Sequence, residues 1–149
     1  MKKLFLILSL SVFGISVYAQ EKTVVNNAKA KAMLLGRHQL SLQWIDFYKY
    51  FGTATVTNRG GVYYLKGEHR QRGGSDFVMI DGVVTQIDQK EFKFDGKIIT
   101  QVSSINGGAA CERNGEMTFK ITGTRKYWRL QEMQNPCDGV TDYVDIFFR

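Results

Sequence analysis

Hydrophobic and polar positions alternate along this chain in short runs, nearly all with a period of two. In RHQLSLQWI, Leu40, Leu42 and Trp44 alternate with Gln39, Ser41 and Gln43, the pattern of a strand with one buried and one solvated face. In GTATVTN, Ala54 and Val56 share one face while Thr53, Thr55 and Thr57 share the other. Arg59-Gly60-Gly61 turns the chain into VYYLKGEHR, and the glycine-containing stretch Gln71 to Ser75 turns it back. In the last run, VTDYVDIFF, Val140, Asp142, Val144, Ile146 and Phe148 alternate with Thr141, Tyr143, Asp145 and Phe147. Apolar residues on both of its faces predict a strand inside a sheet, or one that closes it.

The middle of the chain contains an echo. FVMI-DG-VVTQI and FKF-DG-KIITQV each place two β-branched residues after Asp-Gly. Asp81-Gly82, Asp95-Gly96 and, in ACERNGEMTFKITG, Asn114-Gly115 are read as hairpin turns, because these pairs tolerate the positive φ that a type I′ turn needs. The echo is then two hairpins meeting one physical demand, since a repeat architecture needs three or more copies. KYWRLQEM follows as a further arm, and SSINGGAA reads as a loop.

About nine or ten short strands with regular turn signals predict an antiparallel all-β domain over residues 36–149. A meander closes most simply as a small up-and-down barrel, which removes the sheet edges; a two-sheet β-sandwich is the alternative. Residues 20–35, which include the polar and small-residue run EKTVVNNAKAKAM, carry neither a sustained apolar face nor a recognised cap, so they are read as a short helical or irregular lead-in.

Met1-Lys2-Lys3, the apolar run Leu4 to Val17 and Val17-Tyr18-Ala19 have the layout of a secretory signal peptide over residues 1–19, cut after Ala19. The apolar run is shorter than the roughly 20 residues needed to span a bilayer. With no cysteine near the cut to carry a lipid, no stable membrane anchor is expected, and the mature chain is placed in a periplasm or outside the cell. About 130 residues then remain, the size of one domain. The formal charge of +6 includes Lys2 and Lys3, so the mature domain is only mildly basic and no nucleic-acid partner is expected. In an oxidising compartment Cys111 and Cys137 are read as a disulfide rather than a metal site.

The residues offer little for catalysis. His38 and His69 lie on different strands, and a metal site joining them to Glu68 or Asp76 is the least favoured reading. Asp142 and Asp145 fall on opposite faces of one strand, which does not suit a paired acid and base. The sequence holds no glycine-rich phosphate loop, GxSxG or HExxH, so neither an enzyme nor a cofactor is expected. The aromatics are more suggestive, because Phe47, Tyr48, Tyr50 and Phe51 crowd one loop while Tyr63, Tyr64, Tyr127 and Trp128 fall on strands. One member of each neighbouring pair should face a barrel lumen, and Trp44, Tyr64, Tyr127 and Trp128 are the candidate ligand-binding residues. Arg125, Lys126 and Arg129 beside Tyr127 and Trp128 are read chiefly as cation-π packing on the sheet surface.

In strand count, short turns and early tryptophan the plan resembles the exported eight-stranded barrels, lipocalin-like and avidin-like. Those barrels place a glycine two residues before that tryptophan, where this chain has Leu42, so no site residue is carried over. From the export signal and an aromatic-lined lumen, the chain is read as a secreted or periplasmic, non-catalytic binding module for a small apolar or glycan ligand. Small disulfide-bearing barrels that inhibit cell-wall enzymes supply the alternative, a protein-interaction module of the envelope using the loops around Tyr48 and Asn106.

Overall fold

The computed structural model describes residues 19–149; the predicted signal peptide falls almost wholly outside them. The architecture is a closed antiparallel barrel of eight strands with one extra strand. The extra strand is β1 (Val24–Val25), followed by the helix α1 (Ala28–Leu34). The barrel strands are β2 (Gly36–Leu42), β3 (Gly52–Arg59), β4 (Val62–Arg70), β5 (Phe77–Ile87), β6 (Glu91–Gln101), β7 (Cys111–Lys120), β8 (Tyr127–Leu130) and β9 (Val144–Phe147). Each pairs with its successor, and β9 pairs back onto β2. The barrel expectation therefore holds, and the apolar second face of the last strand is explained by its closing position.

Alternation sorts the side chains as the sequence predicts. Leu40 and Leu42 of β2, Ala54 and Val56 of β3, and Val144 and Ile146 of β9 all point into the barrel at 2% exposure or less. The lumen is filled by rings: Phe92 stacks on Phe119 at 5.1 Å, and Trp128 meets Phe92 edge-on at 5.9 Å. A small barrel of this strand number is just wide enough for side chains to occupy its interior.

The Asp-Gly and Asn-Gly pairs are corrected by the structure. Asp81-Gly82 lies inside β5, Asp95-Gly96 inside β6 and Asn114-Gly115 inside β7. Gly82 pairs with Gly96, and Gly96 with Gly115, so the three glycines form one row across three strands. A Cβ at Gly82 would fall on the Asp95 carbonyl oxygen and within 2.7 Å of the Phe94 ring, and one at Gly96 would meet the same ring at 2.7 Å. The glycines let the strands bend tightly and let Phe94 lie across the bend, a device by which sheets curl into barrels. The echo is thus two adjacent strands built to one curvature, and the real β5–β6 turn is at 88–90, where Asp88 N–H donates to the Glu91 carbonyl at 2.9 Å.

The lead-in is better ordered than expected. Asn27 caps α1, its side-chain oxygen accepting from Ala30 N–H at 2.8 Å, a cap that the sequence pattern did not disclose. Ala30 and Leu34 are buried in the core, so the helix closes the barrel end at which β2 begins. Ahead of it, β1 runs parallel to β5 at Gln86 and Ile87, beyond the last β4–β5 pair, Tyr63 with Val84. Thr23 stitches that split: its hydroxyl donates to the Val84 carbonyl at 2.6 Å and accepts from Tyr63 N–H at 3.0 Å.

The opposite end is closed by loops and a buried polar plug. Arg113 Nη2 donates to Asp142 Oδ2 at 2.8 Å, Asn135 to the same oxygen at 3.0 Å, and Trp44 Nε1 to Asp142 Oδ1 at 3.0 Å. This end also holds the seam of the barrel. β7 shares ten residue pairs with β6 but only two with β8. Below that short ladder the segment 131–137 crosses the edge of β7, and the Cys111–Cys137 disulfide, with Cα atoms 6.0 Å apart, fastens it there.

Candidate functional site

With the lumen full, the open features lie on the outer wall. The chain leaves β2 at Leu42, and its next nine residues fold back over the outside of β2, β9 and β8. At the apex Asp46, Phe47 and Tyr48 have successive positive φ values of 53°, 44° and 63°. Three left-handed non-glycine residues in a row are costly, and such strain gathers at functional surfaces. Here it pushes the Phe47 ring out, 77% exposed. Phe51 and Tyr48, each 37% exposed, flank it.

Beneath the loop, outward residues of β8 and β9 form the floor. Phe147 packs against Phe51 at 5.2 Å and against Tyr127 at 5.0 Å. Arg129 is bound to Asp145 through Nε–Oδ1 and Nη2–Oδ2 hydrogen bonds of 2.7 Å each. Its guanidinium carbon lies 3.9 Å from the centre of the Tyr143 ring and 5.1 Å from that of Tyr127. Together with Gln43 these residues line a mainly apolar cleft of about 600 Å³.

Gln43 and Tyr48 are already engaged. Gln43 donates to the Thr141 carbonyl at 2.7 Å and accepts from Tyr143 N–H at 2.6 Å. Tyr48 Oη donates to Asp145 Oδ2 at 3.4 Å. Burial, followed by the Asp145 charge, pushes the Tyr48 phenol up to about 12, and the Asp145 hydrogen bonds raise the pKa of Arg129. Both groups therefore keep their protons at neutral pH. The site offers an aromatic, solvent-facing surface over a fixed ion pair.

The four residues singled out from the sequence do not converge. Trp128 faces the lumen at 2% exposure. Tyr127, on the other side of the same strand, is on the floor of the outer cleft. In the β4 pair it is Tyr63, at 5% exposure, that points inward; Tyr64 faces outward beside Arg59, whose guanidinium lies 5.2 Å from its ring centre. Trp44 sits past the end of β2, half-buried and tied to Asp142. A lumen lined by Trp44, Tyr64 and Trp128 is thus corrected to a packed interior with Trp128 within it.

Sequence reasoning found the crowded loop 47–51 and, of its floor, only Tyr127. Asp145 entered the sequence reading only as a possible acid–base partner of Asp142 on the last strand, and its buried contact with Arg129 depends on β8 lying next to β9. The two histidines make different contacts. His38 contacts the Leu34 carbonyl at 2.7 Å and the Phe147 carbonyl at 3.0 Å, whereas His69 is 1% exposed with neither ring nitrogen hydrogen-bonded. Burial lowers the pKa of His69. Among the described residues, no three His, Cys, Asp or Glu side chains cluster closely enough to hold a metal.

Fold and surface together define a disulfide-fastened, up-and-down barrel with a filled interior and an aromatic outer cleft. The chain belongs to the PM1083 family, which it matches over residues 22–148. It is 41% identical to "Uncharacterized protein PM1083" of Pasteurella multocida (strain Pm70), over 99% of this chain and 96% of that protein. No solved structure matches.

Proposed function

We propose that this protein is an exported, non-catalytic interaction module that docks a protein partner on the outer aromatic cleft, with Phe47 as the inserted anchor. The exposed Phe47 ring on its strained apex carries the reading. Contiguous exposed aromatics beside an arginine have the composition of an interface core. A glycan or small-ligand role for the same cleft is less well supported: sugar hydroxyls need several free donors and acceptors, and here Gln43 is bridged to 141–143 and the Nε–Nη2 edge of Arg129 is held by Asp145. The disulfide suits an oxidising compartment, and no helix among the described residues is long and apolar enough to cross a membrane.

The test is site-specific photocrosslinking in envelope extracts of the source organism. A crosslinker at position 47 should give one discrete protein adduct, while one at Asp95, exposed on the far side of the barrel, should not. Equal labelling from both positions, or none from 47, would sink the proposal.

A further inference from the structure

Beside the aromatic cleft, across Phe51, lies a second cleft of about 710 Å³. Four cations from separate parts of the chain line it: Arg37 of β2, Lys49 of the apex loop, Arg72 of the β4–β5 loop, and Arg149. No Asp or Glu side chain lines it. Elsewhere among the described residues Lys66, Arg70, Lys97, Arg113, Lys120 and Arg129 each have a carboxylate partner, while other unpaired cations such as Lys29, Arg59 and Lys90 do not line this cleft; what sets the four apart is that they line one cleft. None of the four cleft cations makes an ion pair with a described residue. Asp46, the nearest carboxylate of the apex loop, accepts from the Arg72 backbone N–H at 3.3 Å rather than from its guanidinium.

These cations are held in place by neutral groups. Arg37 Nη2 donates to Thr53 Oγ1 at 3.1 Å, and Arg149 Nη2 to the Ala32 carbonyl at 3.2 Å. The Arg72 guanidinium carbon lies 3.8 Å from the Tyr50 ring centre, and Lys49 Nζ lies 5.4 Å from the same centre. Each arginine keeps donors free in a fixed fork, the arrangement that binds carboxylates through two hydrogen bonds. Bringing like charges together costs energy unless an anion completes the set, and a cleft lined by one sign of charge concentrates such anions.

We infer that the cleft takes an acidic stretch of the partner, its Asp or Glu side chains meeting Arg37, Lys49, Arg72 and Arg149 while the neighbouring aromatic cleft takes an apolar residue. This rests on the docking role proposed above and adds the partner's charge and its path across Phe51. A polypeptide is favoured because aromatic anchor and arginines adjoin on one surface, as in protein interfaces.

Hexaglutamate and inorganic phosphate serve as probes, titrated by calorimetry into the whole mature protein at low salt. Hexaglutamate should bind more tightly than phosphate, and weaken as salt rises. The double variant Lys49→Gln, Arg72→Gln should lose about tenfold or more in affinity. The triple variant Lys66→Gln, Lys97→Gln, Lys120→Gln, which removes at least as much charge elsewhere, should stay within about twofold. Absence of hexaglutamate binding, equal losses in both variants, or phosphate binding as tightly as the peptide would each overturn the inference. Phe47→Ser should leave hexaglutamate binding intact, so the two proposals fail separately. A protein that crosslinks at position 47 yet ignores hexaglutamate keeps its docking role and loses its acidic partner.

Discussion

Arg129 and Asp145 face each other on the outer wall of the barrel through two hydrogen bonds of 2.7 Å, with the Asp145 side chain completely buried and that of Arg129 10% exposed. The pair is the rigid base of the aromatic cleft. Removing the cation strands a carboxylate beneath Tyr48, where water cannot replace the lost partner. Arg129→Ala should therefore cost about 3–5 kcal/mol in urea unfolding. A loss below about 1 kcal/mol would mean that solvent reaches Asp145.

Tyr48 makes the cleft sensitive to alkali. Its folded pKa, about 12, lies above the ordinary value of 10.0, so the folded state holds a proton that the unfolded state has released in between. Stability is full below pH 10 and declines as pH rises toward 12. Tyr48→Phe should flatten this decline in chemical denaturation series. An unchanged slope would assign the alkaline loss to other groups.

His69 gives the opposite limb. Burial lowers its pKa from 6.5, so below that pH the unfolded chain takes up a proton that the folded barrel resists. Stability should be full above pH 6.5 and fall as pH drops toward the lowered value. Ultraviolet-detected unfolding at stepped acidic pH, with His69→Gln as comparison, tests this: the variant should lose the slope in that window.

Gly82 and Gly96 should tolerate no side chain. A Cβ at either meets backbone of the neighbouring strand and the Phe94 ring, so Gly82→Ala should cost about 1–3 kcal/mol through forced repacking. If these glycines stood in exposed hairpin loops, alanine there would meet no neighbouring strand. Thermal unfolding of the variant separates the two cases.

The same pair shows what the sequence could disclose. Alternation in β2, β3 and β9 was legible because burial of one face leaves a period of two in the residues themselves. Asp-Gly was misleading because its local freedom serves a hairpin and a sharply bent strand equally well. Which one results depends on whether another glycine lies opposite, and that pairing is long-range. The apex loop was legible as a surplus of aromatics that a small core could not hold. Its cationic neighbour was not, since Arg37, Lys49, Arg72 and Arg149 meet only after β9 closes onto β2.

Cys111→Ser should lower stability by about 2–5 kcal/mol, measured by urea unfolding. A melting temperature unchanged by reductant would place the strength of the fold elsewhere.

The position of that sulfur bridge also governs how the molecule fails. Between β7 and β8 the wall is zipped for only two residue pairs, so once the clasp is cut the cylinder can spring open along one line while its other ladders persist. What emerges is a curled ribbon with two raw margins, each offering unpaired amides and carbonyls to the margin of another copy. Loss of the bridge would thus turn a self-contained wall into one that can add strands side by side from another chain.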